Sequence, residues 1–476
     1  MALLSVLGVL TVRSRFDDPD MWWHLKTGQL IWTTHIIPTM DVFAYTTGHH
    51  AWVPHEWLSQ VLIYGAYRLG GYSGLMVWLC FFTALLLIAG YGLCVLYSGN
   101  AKVAFIGAMM IWLFGTTGLA IRPQLVGYLL LIVELLFLQL GRTRSPRWFF
   151  GLPPLFAIWV NCHGSFFVGM ILAAALLFCS FFDFRIGLLV AVPWFPRCRK
   201  SLAWALGLSA AVLMVNPVGV KGILYPLNAM LHQPIGTSIV EEWMPLQMTS
   251  QRGMALMAVL GVIFLLIVLR RSELYWDELV ILAMGTWLAV GHQRMLFVFG
   301  ILAAPILSRL LSSSWEGYDP ARDLPIANVV MIVVSLLIIV RGFPSRQNLT
   351  KQVEENSPAA AVEYIKGHHL AGNMLNEYVY GGYLIWAAPE HPVFVDGRAD
   401  VFEWTGVLAD FEGWATLQSN PNTLLKKYKI DFCLLARTSP MAQVLPLLPN
   451  WKTVYSDREA IVFVRTTRTI SARSSD

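Results

Sequence analysis

Carboxylates and a histidine lie close to aromatic residues near the start of the chain. The stretch RFDDPDMWWHLKTGQL, residues 15–30, places Asp18, Asp20 and His24 beside two tryptophans. Carboxylates in such a cluster can act as general bases or bind a divalent metal ion. If the segment is helical, His24 lies about one turn from Asp20, close enough to orient the carboxylate or change its acidity.

Further candidate residues occur in other segments of the chain. Arginine can take up the charge of a phosphate, and histidine and carboxylates can move protons. The candidates for binding a phosphate group are Arg122, His163, His292 and Arg294. The candidates for contacting a second substrate or for shaping a loop are Asp41, His55, Glu56, Glu242, Asp396 and Arg398. Plainer interpretations exist: the arginines can reach lipid phosphates, and Glu242 can be a solvated loop charge.

The composition of the chain indicates what kind of fold positions these residues. The chain has 476 residues, of which 56% are hydrophobic and 13% charged, and its mean hydropathy is +0.58. A soluble protein of this length could not bury so much apolar surface, so the sequence predicts a polytopic membrane protein. The net charge of +5 has no basic tract behind it and gives no indication of nucleic-acid binding. The six cysteines show no CxxC pairing, which argues against a disulfide framework or a zinc site.

The apolar runs predict about 10 or 11 α-helical spans, because a span needs about 20 apolar residues. Residues 1–12 are apolar but too short for a full span. The predicted spans cover roughly residues 72–97, 103–120, 125–140, 148–162, 165–183, 202–216, 253–269, 279–295, 296–312 and 325–341.

The distribution of basic residues predicts an orientation. Arginine and lysine concentrate in alternate loops, such as those around Arg142 and Arg199, and the positive-inside rule makes these loops cytoplasmic. Loops 13–71 and 217–252 are then outside, the N-terminus is inside, and everything after Arg341 is outside. The candidate residues therefore share one membrane depth, and ionisable groups at such positions usually mark a functional cavity.

The tail has a different pattern. From about 352 to 467, helical patterns alternate with the short strands GNMLNE, PVFVDGR, IDFCLLA, WKTVYS and AIVFVR. This alternation is typical of a small α/β domain. We therefore expect a membrane module over 1–341, with its first outer loop at 13–71, and an extracytoplasmic α/β domain over 342–476.

The residue types suit one chemistry well. A sugar carried on a polyprenyl phosphate needs a groove between helices for its lipid tail. Its phosphate leaving group needs an arginine or a metal ion, and the acceptor hydroxyl or amide needs a carboxylate.

Two motifs resemble a known family. DMWWHLKTGQLI, followed by IPTMDVFAYTTGHHAWVPHEW, resembles the first outer loop of the GT-C superfamily of membrane glycosyltransferases. It looks most like the catalytic subunit of archaeal and eukaryotic oligosaccharyltransferases. In that family the opening aspartate is catalytic or binds metal, which implies this role for Asp20 and a second, weaker one for Asp18.

The tail resembles the same family through NEYVYGGYLIW, VFVDGRADVF and LLKKYKIDFCLLA, in that order. The family's Trp-Trp-Asp-Tyr-Gly motif, which grips the acceptor sequon, is replaced here by Tyr378-Val379-Tyr380-Gly381-Gly382. Transfer to an asparagine sequon is therefore not implied. Asp396 and Arg398 in VDGRAD form either a different acceptor site or a strand-end turn.

These observations predict an inverting GT-C glycosyltransferase in a prokaryotic cytoplasmic membrane. It would move a sugar from a polyprenyl-phosphate-type donor to a glycan, lipid or protein acceptor at the outer face, with membrane lipid around its spans. Asp20 would assist the acceptor while Arg122, Arg294 or a divalent metal such as Mg or Mn takes the phosphate. The resemblance leaves the metal open, because only the oligosaccharyltransferase branch needs one.

Two alternatives come from other classes of protein. A lipid or small-molecule transporter or flippase would place polar residues near the membrane midplane, often in two matching halves of the chain. A membrane scaffold without catalytic activity would explain the tail but not the histidines and arginines.

Overall fold

The fold divides into two compact units that interleave along the chain. The structure, a computed structural model, describes residues 1–232, 235, 240–312, 315, 319, 321 and 324–466. Unit 1 comprises Met1–Arg15 and His55–Pro344, and unit 2 comprises Phe16–Pro54 and the chain from Ser345 onwards. The first loop is thus grouped with the tail.

Unit 1 is mostly helical, because an apolar chain in lipid must satisfy its backbone polar groups within each segment. Each of the ten predicted spans overlaps one of its helices. The described α-helices of unit 1 are α1 Ala2–Val12, α3 Trp57–Ser98, α4 Ala101–Gly115, α5 Gln124–Thr143, α6 Leu152–Cys162, α7 Phe166–Cys179, α8 Pro196–Val212, α9 Val220–His232, α10 Gln251–Arg270, α11 Trp276–Gly291, α12 Leu296–Ser312 and α13 Pro325–Gly342.

Several of these helices have the length and composition of membrane spans. Within the described residues, five are both long and apolar enough to cross a membrane: Trp57–Ser98, Gln124–Thr143, Gln251–Arg270, Gln293–Ser312 and Pro325–Gly342. Helices α1, α4 and α7 are apolar but shorter. The prediction of a mainly helical chain with apolar helices is confirmed, whereas the number of spans remains a prediction.

Helix α12 lies at the centre of unit 1. It packs against α3, α4 and α11, and nearly all of its side chains from Leu296 to Leu310 are buried. Phe299 meets Phe114 of α4 edge to face, with ring centroids 5.4 Å apart. The residues just before α12 are therefore held by a well-packed core, and they include Arg294.

Helix α3 is broken at Gly71, where φ is +59° and ψ is −138°. Residues with a side chain rarely adopt this conformation, so the break depends on glycine. The predicted span 72–97 begins one residue after it. The apolar run therefore predicted the second half of α3, after Gly71, but not the first half, which begins at Trp57.

A small sheet joins two loops of unit 1 that were predicted to be cytoplasmic. Strand β1 (Phe184–Ile186) pairs antiparallel with β2 (Leu189–Ala191), and β2 pairs parallel with β3 (Leu274–Tyr275). Strands of two or three residues carry too little pattern to be predicted. Ion pairs surround the sheet: Arg185 with Glu273 at 2.7 Å, Arg309 with Glu278 at 2.5 Å, and Arg142 with Asp277.

Unit 2 combines a helix of the first loop with the helices and sheet of the tail. The sheet order is β4-β5-β7-β6, with β4 and β5 parallel and the other pairs antiparallel. The helices are α2 Met21–Thr34, α14 Arg346–Asn356, α15 Ala359–Gly367, α16 Gly381–Ala387, α17 Ala399–Trp404, α18 Val407–Ala415, α19 Pro421–Lys427 and α20 Pro440–Val444. The strands are β4 Asn373–Asn376, β5 Ile430–Ala436, β6 Trp451–Ser456 and β7 Ala460–Arg465. Residues 467–476 of the predicted tail domain lie outside the described residues.

Four of the five strands predicted in the tail are present, but the strand PVFVDGR is wrong. Only Val393 forms a bridge, to Ala44 of the first loop. The Asn376 side chain takes the place of a neighbouring strand: it accepts a hydrogen bond from Phe394 N and donates one to Val395 O, both at 2.8 Å. The segment is extended and buried, but its partners are a side chain and a distant loop.

Candidate functional site

Asp18 and Asp20 form the turn that begins α2. Asp18 Oδ1 accepts a hydrogen bond of 2.9 Å from the Asp20 backbone N–H, and Asp20 stands at the N-cap position of the helix. Asp20 Oδ1 in turn accepts a hydrogen bond of 3.2 Å from the indole N–H of Trp23. The side chain of Asp20 is half-buried and held in one orientation by the indole. This is an arrangement in which a carboxylate can act on a substrate proton.

His24 lies one turn from Asp20, and the segment is helical. Its ring packs on the ring of Trp23, with centroids 3.6 Å apart. Trp23 is the residue that donates to Asp20. His24 is therefore placed to support the orientation of Asp20 through Trp23.

Asp41, Asp396 and Arg398 form a buried cluster in unit 2. Arg398 Nη1 donates to Asp41 Oδ1 at 2.6 Å, and Arg398 Nη2 donates to Asp396 Oδ2 at 2.6 Å. The Arg398 side chain is only 1% exposed, and both carboxylates are fully buried. Since no substrate can reach these groups without displacing their surroundings, the geometry favours a loop-shaping role over acceptor contact.

Electrostatics hold this cluster in its charged form. Burial alone would raise the pKa of Asp41, but the Arg398 guanidinium and hydrogen bonds from Phe43 and Thr47 hold that pKa below its ordinary value. Burial alone would lower the pKa of Arg398, but Asp396 and Asp41 raise it. The Asp41 carboxylate and the Arg398 guanidinium are therefore held in their charged forms, shielded from water.

Unit 1 contains a cavity rich in arginine, which we call the arginine pocket. It has a volume of about 230 Å³. Its lining residues are Arg15, Thr117, Gly118, Gln124, Tyr128, Glu242, Arg252, Gln293 and Arg294. Arginine guanidinium groups bind phosphate well because their geometry allows paired hydrogen bonds.

Glu242 links two of the predicted phosphate ligands at this pocket. Its Oε2 lies 3.1 Å from Arg122 Nη1 and 3.9 Å from Arg294 Nη1. Arg294 also donates a hydrogen bond to Gln124, and its guanidinium lies over the ring of Trp243, 5.2 Å from the centroid. Arg122, Arg294 and Glu242, which the sequence singled out separately, are thus brought together.

Sequence reasoning missed Arg15 and Arg252, which also line the pocket. Both fall in loops predicted to be outside, at 13–71 and 217–252, where the positive-inside pattern leaves basic residues scarce. That departure from the pattern was the signal available in the sequence.

His163 and His292 do not line the arginine pocket, although they were predicted to join Arg294. His292 Nδ1 is 2.7 Å from the carbonyl oxygen of Trp243. It therefore positions the tryptophan that packs on Arg294.

His163 belongs to a second cluster of unit 1, with His55 and Glu56. Glu56 Oε1 lies 3.4 Å from His163 Nε2 and 3.6 Å from His55 Nε2. His163 Nδ1 is 2.8 Å from Ser165 Oγ and accepts the backbone N–H of Ser165 at 3.1 Å. With Nδ1 accepting, Nε2 carries the proton and faces Glu56. His163 thus closes the turn between α6 and α7.

Asp18 and Asp20, the predicted ligands of a Mg or Mn ion, lie two residues apart in one turn. In the part of the chain that the structure describes, no three side chains among His, Cys, Asp and Glu are grouped to hold a metal. One oxygen of Asp18 and one of Asp20 already accept hydrogen bonds.

Comparison by sequence finds no relative: no protein-family profile and no curated protein sequence matches the chain. Comparison by structure does. The fold is similar to that of a solved oligosaccharyltransferase and of ArnT, so the resemblance predicted from the motifs is confirmed at the level of the fold.

The individual neighbours include enzymes from an archaeon and a bacterium. One is the oligosaccharyltransferase of Archaeoglobus fulgidus, tethered with an acceptor peptide containing the NVT sequon. The two structures match with a TM-score of 0.57 and 12% sequence identity, and the match covers 98% of this chain and 74% of that chain. Another is ArnT from Cupriavidus metallidurans bound to undecaprenyl phosphate: TM-score 0.53, 12% identity, 97% of each chain covered.

The Archaeoglobus enzyme AglB is also a neighbour in complex with an inhibitory peptide and a dolichol-phosphate, at TM-score 0.52 and 12% identity, with 91% of this chain and 69% of that chain covered. The same oligosaccharyltransferase in complex with zinc and sulfate matches at TM-score 0.51 and 11% identity. Identities this low establish the fold alone.

Proposed function

We propose that the protein is an integral-membrane glycosyltransferase that takes a sugar from a polyprenyl-phosphate-type carrier and transfers it to an acceptor at the extracytoplasmic face. The arginine pocket carries the proposal. It places Arg15, Arg252 and Arg294 around one cavity, with Arg122 beside it on Glu242. A cavity with this excess of positive charge, in a unit of apolar helices, suits a phosphate attached to a lipid.

The fold supports the choice of carrier. Two neighbours of the same fold are in complex with a dolichol-phosphate or with undecaprenyl phosphate. Helices α10 and α13 expose large apolar side chains along most of their length. Such surfaces suit lipid, so a polyprenyl chain and a membrane can both be accommodated by unit 1.

The role we propose for Asp20 is that of general base. The acceptor hydroxyl or amide would lose its proton to Asp20 as its oxygen or nitrogen attacks the anomeric carbon of the sugar. The bond from the anomeric carbon to the phosphate oxygen would break, and the electron pair would leave with the lipid phosphate. This single displacement inverts the anomeric centre.

The arginines would take up the charge of the departing phosphate. Charge-assisted hydrogen bonds from guanidinium groups stabilise an oxyanion more strongly as its charge develops. This is the role that sequence analysis assigned to arginine or to a divalent metal, and the arginine pocket has the residues for it. The acceptor class stays as predicted: a glycan, a lipid or a protein.

Binding of the carrier tests the donor role. The full-length protein, in liposomes of phosphatidylethanolamine and phosphatidylglycerol, should bind undecaprenyl phosphate more tightly than undecaprenol. Arg294→Gln should weaken that binding about 10- to 100-fold, since hydrogen bonds to charged groups contribute roughly 1.5–3 kcal/mol. Arg185→Gln, at the small sheet away from the pocket residues, is the matched control. Equal binding of both lipids would overturn the phosphate site.

Transfer tests the reaction. Polyprenyl phosphates carrying tritium-labelled hexoses or pentoses are supplied to the same liposomes, and label in free sugar or in an acceptor is measured. The proposal expects release or transfer. Movement of the intact lipid across the bilayer without either would instead establish a flippase.

A further inference from the structure

Gly397 lies directly behind the Asp20 carboxylate in unit 2. A Cβ added to Gly397 would fall 1.9 Å from Asp20 Oδ1 and 3.2 Å from Trp23 Nε1. Gly397 is not among the glycines with positive φ, so its backbone conformation is open to alanine. The requirement for glycine here comes mainly from the close approach of Asp20, with the Trp23 indole as a second tight neighbour.

Arg398 closes the turn on which Gly397 sits. Asp396 Oδ1 accepts hydrogen bonds from the backbone N–H of Arg398 at 2.9 Å and from its Nε at 2.8 Å. Together with the Nη2 bond to Asp396 Oδ2, this fork joins the two residues that flank Gly397. The position of Gly397 is therefore fixed from both sides.

A second carboxylate anchors this turn to the first loop. Arg398 Nη1 bonds to Asp41, and Asp41 Oδ2 accepts a hydrogen bond of 2.8 Å from Thr47 Oγ1. The guanidinium lies over the rings of Trp52 and Phe43, 4.9 and 5.0 Å from their centroids. The arginine thus ties the tail to the loop segment 41–52 in a buried, rigid arrangement.

We propose that Gly397 and Arg398 are positioning residues for Asp20. The inference rests on the proposed function, because it takes Asp20 as the base. The turn Asp396–Arg398 packs against the Asp20 carboxylate, and the Arg398 guanidinium fixes the turn relative to the first loop. Arginine is required because its planar fork serves two carboxylates at once, whereas a lysine ammonium cannot reproduce that geometry.

Two single variants test the proposal in the full-length protein in liposomes, with the labelled polyprenyl-phosphate sugar that the wild type uses. Gly397→Ala should displace the Asp20 carboxylate, and Arg398→Lys should make the position of the turn Asp396–Arg398 less fixed. Because small misplacements of a reacting group cost up to roughly 100-fold in rate, kcat should fall at least ~10-fold for each variant. KM for the donor lipid should not change. Gly413→Ala is the matched control, since its added Cβ would find its nearest neighbour 3.6 Å away.

Double variants separate positioning from general damage to the fold. On an Asp20→Asn background, Gly397→Ala should cause no further loss of kcat, because the group it positions no longer acts. Damage that acts independently of Asp20 would instead multiply the two losses. If Arg398→Lys fails to accumulate in the membrane, Gly397→Ala carries the test alone.

The outcomes distinguish this inference from the proposed function. A wild type that neither releases nor transfers sugar, or an Asp20→Asn variant with full activity, overturns the proposed function and this inference with it. An impaired Asp20→Asn variant beside a fully active Gly397→Ala variant overturns the positioning role alone. Multiplicative losses in the double variant do the same.

Discussion

Asp20 and Glu242 are both carboxylates, but their surroundings predict opposite effects when each loses its charge. Asp20 is half-buried, and its Oδ1 is oriented by an indole N–H. Glu242 is 40% exposed and pairs with Arg122, whose side chain is 11% exposed. The first arrangement suits a group that acts on a substrate, whereas the second suits a counter-ion that another anion can replace.

Asp20→Asn keeps the size of the side chain and removes its charge. We expect kcat for sugar transfer to fall at least ~100-fold, the usual scale for loss of a general base, with normal insertion into the membrane. Asp18→Asn should have an intermediate effect, because it removes charge from the turn that positions Asp20. Asp17→Asn is the matched control, since Asp17 is exposed. A fully active Asp20→Asn protein would contradict the assignment.

Glu242→Gln should strengthen binding of undecaprenyl phosphate. The Glu242 carboxylate occupies the arginines that a phosphate would use, so a neutral side chain removes a competitor. A lower Kd, by about 2- to 5-fold, is expected in the liposome binding assay, in line with an ion pair of about 0.5–1 kcal/mol. Glu273→Gln, in the ion pair with Arg185, serves as control. Weaker or unchanged binding would mean that Glu242 is a fixed part of the site.

At the scale of elements, apolar runs predicted the helices of unit 1 well. The reason is physical: a buried or lipid-facing helix needs a continuous apolar run, which a single sequence displays. Strands β5, β6 and β7 were located to the residue, because each is a short β-branched or aromatic run bounded by polar residues. The strands β1 to β3 were not predicted, because segments of two or three residues are too short to show such a run.

Some of the candidate residues lie together in the fold and others do not, and one cause explains why the sequence could not show this. Arg122, Arg294 and Glu242 were singled out, but Arg15 and Arg252 were not, and His163 proved to serve a separate turn. Residue type and predicted depth indicate which side chains can do chemistry. Which of them share a cavity depends on packing between helices distant in sequence, and the unusual position of Arg15 and Arg252 in outer loops does not reveal that packing. The same limit made PVFVDGR look like a strand, since its partner Asn376 is recognisable only in the fold.

The cluster of Asp41, Asp396 and Arg398 makes an element-scale prediction about pH. The folded pKa of Asp41 is below its ordinary value of 3.8. The stabilisation it provides is therefore complete above that value and is lost as the pH falls towards the folded pKa. Asp41→Asn should lower the apparent Tm by roughly 5–10 °C at pH 7, since it breaks a buried ion pair.

Thermal unfolding followed by tryptophan fluorescence from pH 3 to 8 checks this. The difference in apparent Tm between wild type and Asp41→Asn should be constant above pH 4 and shrink below it. Glu355→Gln, on the exposed face of α14, should follow the wild type throughout. A difference that grows as the pH falls would contradict the assigned charge states.

At the scale of the whole molecule, the orientation in the membrane is the outstanding prediction. The distribution of basic residues places the tail outside and the loop after α5 inside. Both regions have exposed positions that suit chemical labelling, at Lys351 and Arg144. The six native cysteines are buried, so they give a low background to an added cysteine.

A membrane-impermeant maleimide checks the orientation in intact spheroplasts. Lys351→Cys should react directly, whereas Arg144→Cys should react only after the membrane is permeabilised. The two variants control for each other, because each is exposed in the folded protein. The reverse pattern would invert the proposed topology and place the sugar donor on the cytoplasmic side.

The division of unit 2 along the chain has a consequence for how the protein is made. Asp41 leaves the ribosome 357 residues before Arg398, the residue that neutralises it. At about 5–20 residues per second, this interval lasts roughly 20 to 70 s. During that time the segment Phe16–Pro54 has been made but Asp41 lacks the Arg398 guanidinium, while the helices of unit 1 are being inserted. The loop that carries Asp20 can therefore mature only after the tail is synthesised, so a chain truncated before residue 398 would retain its helices without a finished active loop.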